Sequence, residues 1–155
     1  LRVVCLREAL PDSQDNPRSL HVLGDFAGPP PPARKSLSYV MDKTAKNAAM
    51  RLSRALNYSG REEILEACRR YIRDGGKPES LDQETFSRYL YSAEQPDPDL
   101  VIRTSGELRI SNCLLFQIAY SGYYFTPTLW PDFDRQALNE ALQSYAGRKR
   151  RCGGL

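Results

Sequence analysis

Apolar positions along the chain change period several times. "SLHVLGD", residues 19–25, is a short apolar run ended by Gly24-Asp25 and reads as a buried strand. The prolines at 29–32 predict a stiff extended loop over 26–35. In "ARKSLSYVMDKTAKN" Leu37, Val40, Met41 and Ala45 share one helical face, and Asn47 is a plausible stop. Met50, Leu52, Leu56 and Tyr58 then fall at even spacing, the pattern of a strand closed by Ser59-Gly60. "REEILEACRRYIRDGG" predicts an amphipathic helix with Ile64, Leu65, Cys68 and Ile72 inward and Gly75-Gly76 as its end.

The second half continues the alternation. "SLDQETFSRYLYS" predicts a helix capped by Asp82 or Ser80, and "AEQPDPD" a loop. "LVIR", residues 100–103, reads as a buried strand, and "ISNCLLFQIAYS" as a buried helix, since it is apolar nearly all round. "YYFTPTLWPDF", broken by two prolines, predicts a short strand and a turn. The closing segment begins as an amphipathic helix with Ala137, Leu138, Ala141, Leu142 and Tyr145 on one face. It ends in a basic, glycine-terminated tail over 146–155. Strands alternating with helices indicate an α/β fold, a largely parallel sheet with helices packed on it, in one domain over 1–155.

Composition narrows the chemistry. The chain has 155 residues, 41% of them hydrophobic, with no apolar run of the ~18 residues that spans a membrane. Its net charge is +3, from 22 basic and 19 acidic residues, too mild to imply nucleic acid. The basic stretch "GRKRR" has no aromatic stacking motif beside it. Cys5, Cys68, Cys113 and Cys152 are not closely spaced, and His21 is the one histidine. That combination argues against zinc and against a Ser-His-Asp triad, and favours free thiols in a reducing compartment with a structural His21.

The chemistry concentrates in "DLVIRTSGELRISN", residues 99–112. Arg103 ends a strand, and ligands of open α/β sheets bind beyond strand carboxyl ends. A Ser-Gly turn follows, then Glu107 and Arg109, then Ser111 at the start of the predicted helix. Two guanidinium groups, a hydroxyl and the free amides of a helix N-terminus would make a diphosphate site. It is not a Walker loop, whose glycine and lysine spacing is absent. The competing reading pairs the two arginines with Glu107 or with the aspartates at 97–99, and the residues alone leave both open.

The run "DPDLVIRTSGELRISN", with "LLFQIAY", "LWPDF" and the closing "RKRRCGG", resembles the C-terminal part of the cis-prenyltransferases, the undecaprenyl and polyprenyl diphosphate synthases. "LHVLGD" and "LNYSGREEI" are similar to the middle of that family. The resemblance implies condensation of isopentenyl diphosphate with an allylic diphosphate to a Z-polyprenyl diphosphate, with Mg2+, in a homodimer or heterodimer. It implies that Arg103, Arg109 and Ser111, helped by the amide of Ile110, hold the isopentenyl diphosphate. Arg151 and Gly153 match a terminal Arg-x-Gly element that reaches a partner's diphosphate.

Two departures qualify the resemblance. The family's "Asp-Gly-Asn-Gly-Arg" loop, which works with magnesium on the allylic diphosphate, is not in this sequence, so the fold is expected to be incomplete at its N-terminal side. Gly122 stands where bacterial members carry a magnesium-binding glutamate, so no metal ligand is assigned. These departures keep a second expectation alive: a non-catalytic partner subunit or a decayed fragment. No residue stands out as a proton acceptor. The expected setting is the cytoplasm or an organellar stroma, with peripheral membrane contact compatible with the lipid product.

Overall fold

A computed structural model describes residues 17–148, which divide into two compact units between Ala93 and Glu94. The first unit contains β1 (Arg18–Leu23), α1 (Pro31–Thr44), β2 (Met50–Ala55), α2 (Gly60–Arg73) and the short α3 (Gln83–Ser87). The second contains β3 (Leu100–Arg103), β4 (Gly122–Phe125) and α4 (Arg135–Ala146). β1 pairs with β2 and β3 pairs with β4, both in parallel. The α/β alternation and the parallel pairing expected from the sequence are therefore present.

In the first unit the core is built where α1 lies on β1. Leu37 and Val40 of α1 are buried against Leu20, Val22, Phe26 and Leu56. Thr44 ties helix to strand: its Oγ1 donates to the Val40 carbonyl (2.8 Å) and accepts from the Leu20 N–H (3.0 Å). The expected proline loop is shorter than 26–35, because Pro31 and Pro32 are the first residues of α1. The first helical turn needs no N–H from these residues, and proline's fixed φ already suits a helix. Gly24 lets β1 pass close to the chain after β2: it has φ +125°, and a Cβ there would lie 2.2 Å from the Leu56 carbonyl oxygen.

α2 forms as expected but buries a different face. Glu63, Ala67 and Tyr71 are the inward residues, whereas Ile72 is 70% exposed and Leu65 50%. Polar partners explain the rotation. Glu63, only 2% exposed, accepts from the Tyr58 hydroxyl at 2.5 Å and from the Tyr91 N–H at 2.9 Å. The Tyr71 hydroxyl donates to the Lys77 carbonyl at 2.6 Å. Orphaning such groups costs more than exposing part of a leucine. Gly75, at φ +79°, ends the helix, with the Gly75 and Gly76 amides returned to the Ile72 and Tyr71 carbonyls.

The helix expected over "SLDQETFSRYLYS" is reduced to α3, followed by turns. Asp82 is its cap, and the Thr85 N–H holds the Asp82 carboxyl below the usual carboxylate range. The stability this cap contributes is present above the unfolded aspartate pKa and is lost as pH falls through the folded one. β2 is a strand but alternates poorly, with Met50 and Leu52 both exposed.

Two substitutions test this packing. Glu63→Ala, which strands the Tyr58 hydroxyl and the Tyr91 amide, should lower unfolding free energy by about 2–4 kcal/mol in urea titration. Ile72→Ala, on the exposed side of the same helix, should shift it by less than about 1 kcal/mol. Equal losses at the two positions would contradict the observed rotation of α2.

Candidate functional site

The second unit is organised by the β3–β4 ladder. Leu100 pairs with Gly122, and Arg103 with Phe125, so both strands point their carboxyl ends the same way. The pairing continues past the strands: the Thr126 N–H donates to the Arg103 carbonyl at 2.9 Å. The turn after β3 folds back on the chain after β4. The Ser105 N–H donates to the Thr128 carbonyl (2.8 Å) and the Gly106 N–H to the Thr126 carbonyl (2.9 Å). Ser105 and Gly106 both have positive φ, +66° and +68°.

Arg103 therefore stands at the strand end, as expected. Its Nη2 lies 3.5 Å from the Ser111 Oγ, a long hydrogen bond. Its Nε is buried and has no hydrogen-bond partner among the described residues. No carboxylate pairs with Arg103 among the described residues, so its guanidinium charge has no counter-charge there. Arg109 differs: it forms an ion pair with Glu107, and its side chain is 65% exposed. The competing ion-pair reading holds for Arg109 and not for Arg103. Ile110 is half-buried, its carbonyl accepting from the Cys113 N–H at 3.1 Å. Arg151 and Gly153 lie outside the described residues.

The expected helix over 110–121 is not formed. Ser111, Asn112 and Leu114 have φ of +48°, +60° and +47°, and the segment is a succession of turns. A left-handed residue costs about 1–2 kcal/mol and cannot continue a right-handed helix. Ser111 consequently faces Arg103 from a turn and not from a helix N-terminus, and the helix-dipole contribution to anion binding is withdrawn. Apolar composition misled here, because a half-buried irregular segment can be as apolar as a buried helix. Gln117 and Ile118 are buried, while Tyr120 is 97% exposed.

Gly122 opens β4 opposite Leu100, at the other end of the ladder from Arg103. A Cβ added there would sit 3.2 Å from a Tyr145 ring carbon and 3.3 Å from a guanidinium nitrogen of Arg148. No cluster of three His, Cys, Asp or Glu side chains able to hold a metal occurs among the described residues. With Gly122 lacking a donor, the described residues do not fit a magnesium site, and no step is routed through one. No described helix is long and apolar enough to cross a membrane.

Two contributors had not been singled out, Thr126 and Thr128. Thr126 is buried, and its hydroxyl lies 3.0 Å from that of Thr128 and accepts the Thr128 N–H at 3.3 Å. The signal was present: "TPT" is a threonine with a partner two residues on and a proline between them, a hydroxyl-stabilised turn.

A parallel α/β ladder with a cationic turn at its carboxyl end has close relatives. The prenyltransferase family model described as "Putative undecaprenyl diphosphate synthase" matches residues 2–153, and the chain belongs to that family. An isoprenyl transferase of Heliobacterium mobile is 46% identical over 142 residues, covering 89% of this chain and 54% of the relative. One from Thermotoga maritima is 47% identical over 138 residues, covering 88% and 59%. The chain thus spans little more than half the length of these curated relatives. Among solved structures, lavandulyl diphosphate synthase from Lavandula x intermedia, in complex with dimethylallyl diphosphate, superposes with a TM-score of 0.92 at 32% identity, over 98% of this chain and 68% of that one. A probable undecaprenyl diphosphate synthase from Campylobacter jejuni gives 0.88 at 29% identity, over 97% and 70%.

The Glu107–Arg109 pair is exposed, so it should add little to stability and act chiefly as an internal competitor for anions. Glu107→Gln should change unfolding free energy by less than about 1 kcal/mol. It should also tighten inorganic diphosphate binding about 2- to 5-fold at low salt, read by calorimetry. Unchanged or weaker diphosphate binding would show that the carboxylate does not compete for Arg109.

Proposed function

We propose that this chain carries the isopentenyl diphosphate site of a cis-prenyltransferase. The observation that carries the reading is Arg103: a guanidinium at a strand's carboxyl end, its buried Nε without a partner among the described residues and its Nη2 beside a serine hydroxyl. Arg109 is the second phosphate ligand once the diphosphate takes it from Glu107, and Ser111 donates to a phosphate oxygen through its hydroxyl. The Ile110 amide is a candidate helper. In the terminal segment, Arg151 and Gly153 are assigned to a diphosphate across a dimer, by family likeness.

The reaction proposed for the whole protein joins isopentenyl diphosphate to an allylic diphosphate. The allylic carbon–oxygen bond breaks and diphosphate leaves. The isopentenyl double bond supplies the electron pair of the new carbon–carbon bond, and a proton is lost from the adjacent carbon. The residues described here orient the nucleophilic substrate, a proximity role. Magnesium is expected of the family, and no residue described here is assigned to hold it. The second reading, a non-catalytic partner subunit or decayed fragment, is favoured by Gly122, which offers no side chain to a metal where the bacterial members it resembles carry a glutamate.

Calorimetry with isopentenyl diphosphate tests the assignment directly. Each charged hydrogen bond contributes roughly 1.5–3 kcal/mol, so Arg103→Ala should weaken binding about 10- to 150-fold without lowering the melting temperature appreciably. An affinity unchanged by Arg103→Ala would remove the site from this strand end. Incorporation of labelled isopentenyl units, set against binding, separates the working enzyme from the non-catalytic reading.

A further inference from the structure

The turn between Arg103 and Arg109 contains one strained residue, Ser105, beside Gly106, whose positive φ costs a glycine nothing. Ser105 has φ +66° without being a glycine, in a conformation that L-residues with a Cβ rarely adopt. What fixes it is the segment after β4. Thr126 accepts from Gly106 and donates to Arg103, and Thr128 accepts from Ser105, all through backbone groups at 2.8–2.9 Å. The geometry of 126–128 is itself set by side chains. The Thr126 hydroxyl takes the Thr128 N–H and meets the Thr128 hydroxyl at 3.0 Å, while Pro127 fixes the φ between them. Pro127 also backs the turn, its Cα 4.0 Å from where a Gly106 side chain would begin.

We infer that the Thr126-Pro127-Thr128 clasp is the positioning element of the diphosphate site, acting through the 105–106 turn on the guanidinium groups of Arg103 and Arg109. The inference rests on the functional reading above. It also carries a consequence for recognition. Turn amides after a strand commonly cradle phosphate oxygens. Here the Ser105 and Gly106 amides are spent on the clasp. Those two amides are therefore closed to the diphosphate, and its affinity depends on how well the clasp spaces the side chains that hold it. Thr126 is a positioning residue and touches no substrate.

The test compares Thr126→Val, which keeps the branched shape and removes the hydroxyl, with Thr126→Ser, which keeps the hydroxyl. Binding of isopentenyl diphosphate to the full chain is read by calorimetry beside each variant's melting temperature, with Arg103→Ala as reference. Thr126→Val should weaken binding roughly 5- to 20-fold, with Thr126→Ser within about 2-fold of the parent. Thr128→Val added to Thr126→Val should cost little more, since the two hydroxyls act as a unit. If Thr126→Val lowers only the melting temperature, or if Thr126→Ser binds as poorly as Thr126→Val, the clasp is a structural turn and the inference fails. If Arg103→Ala binds as the parent does, or the parent does not bind, the site reading fails with it. A loss confined to Arg103→Ala overturns the clasp alone.

Discussion

The parallel pairing of β3 with β4 is the constraint on which the site depends. Parallel strands cannot be joined by a tight hairpin, so the chain must leave the end of β3 and return to the start of β4. The same pairing brings the two carboxyl ends side by side, Arg103 against Phe125. Everything chemical in this unit follows from that. The crossover leaves from a point where strand carbonyls and amides would otherwise be open, and the segment after Phe125 arrives beside it with amides and carbonyls to spare. The Thr126 N–H closes on the Arg103 carbonyl, and the two turn amides close on Thr126 and Thr128. Arg103 is fixed through its backbone carbonyl, while its guanidinium remains without a carboxylate partner among the described residues.

The first unit uses polar anchoring in another way. α1 packs by ordinary apolar contact, Leu37 and Val40 on β1. α2 is placed by a buried carboxylate. Glu63 accepts from both the Tyr58 hydroxyl and the Tyr91 backbone, and that pair of bonds turns the Glu63 stripe of α2 inward. A buried charge is tolerated when its lone pairs are satisfied, and a satisfied one specifies orientation more sharply than a leucine. The outward apolar stripe of α2 is the cost of that choice.

Family membership is shown, and among the described residues there is no metal-binding set. The relatives include isoprenyl transferases and a synthase solved with dimethylallyl diphosphate. In the proposed reading, the cationic end of β3 is what this chain brings to a diphosphate. In such a site the arginines would contribute orientation and charge, and the alkene's electron pair needs only to be held in line with the allylic carbon. A serine facing Arg103 from an irregular turn can donate to a phosphate oxygen without the rest of the crossover moving.

Much of this was legible in the sequence. Period and punctuation indicated the order of strands and helices, and Asp82 and Gly75 marked helix ends where the caps are found. The spacing of Arg103, Arg109 and Ser111 after an apolar run placed the candidate site at a strand end, because a strand's direction and the residue that ends it are local properties. Three things were decided only in three dimensions. The crossover from 111 was not a helix, since left-handed residues at 111, 112 and 114 are set by what the chain must reach and not by its hydrophobicity. The inward face of α2 was chosen by Tyr58 and Tyr91, partners distant from its own periodicity. The division between the two arginines was likewise tertiary: Glu107 lies two residues from Arg109 and pairs with it, while Arg103, placed by the register of β3 on β4, has no carboxylate partner among the described residues. Sequence determines which charges are present and on which element; the register and the turns between elements determine which of them are left to bind.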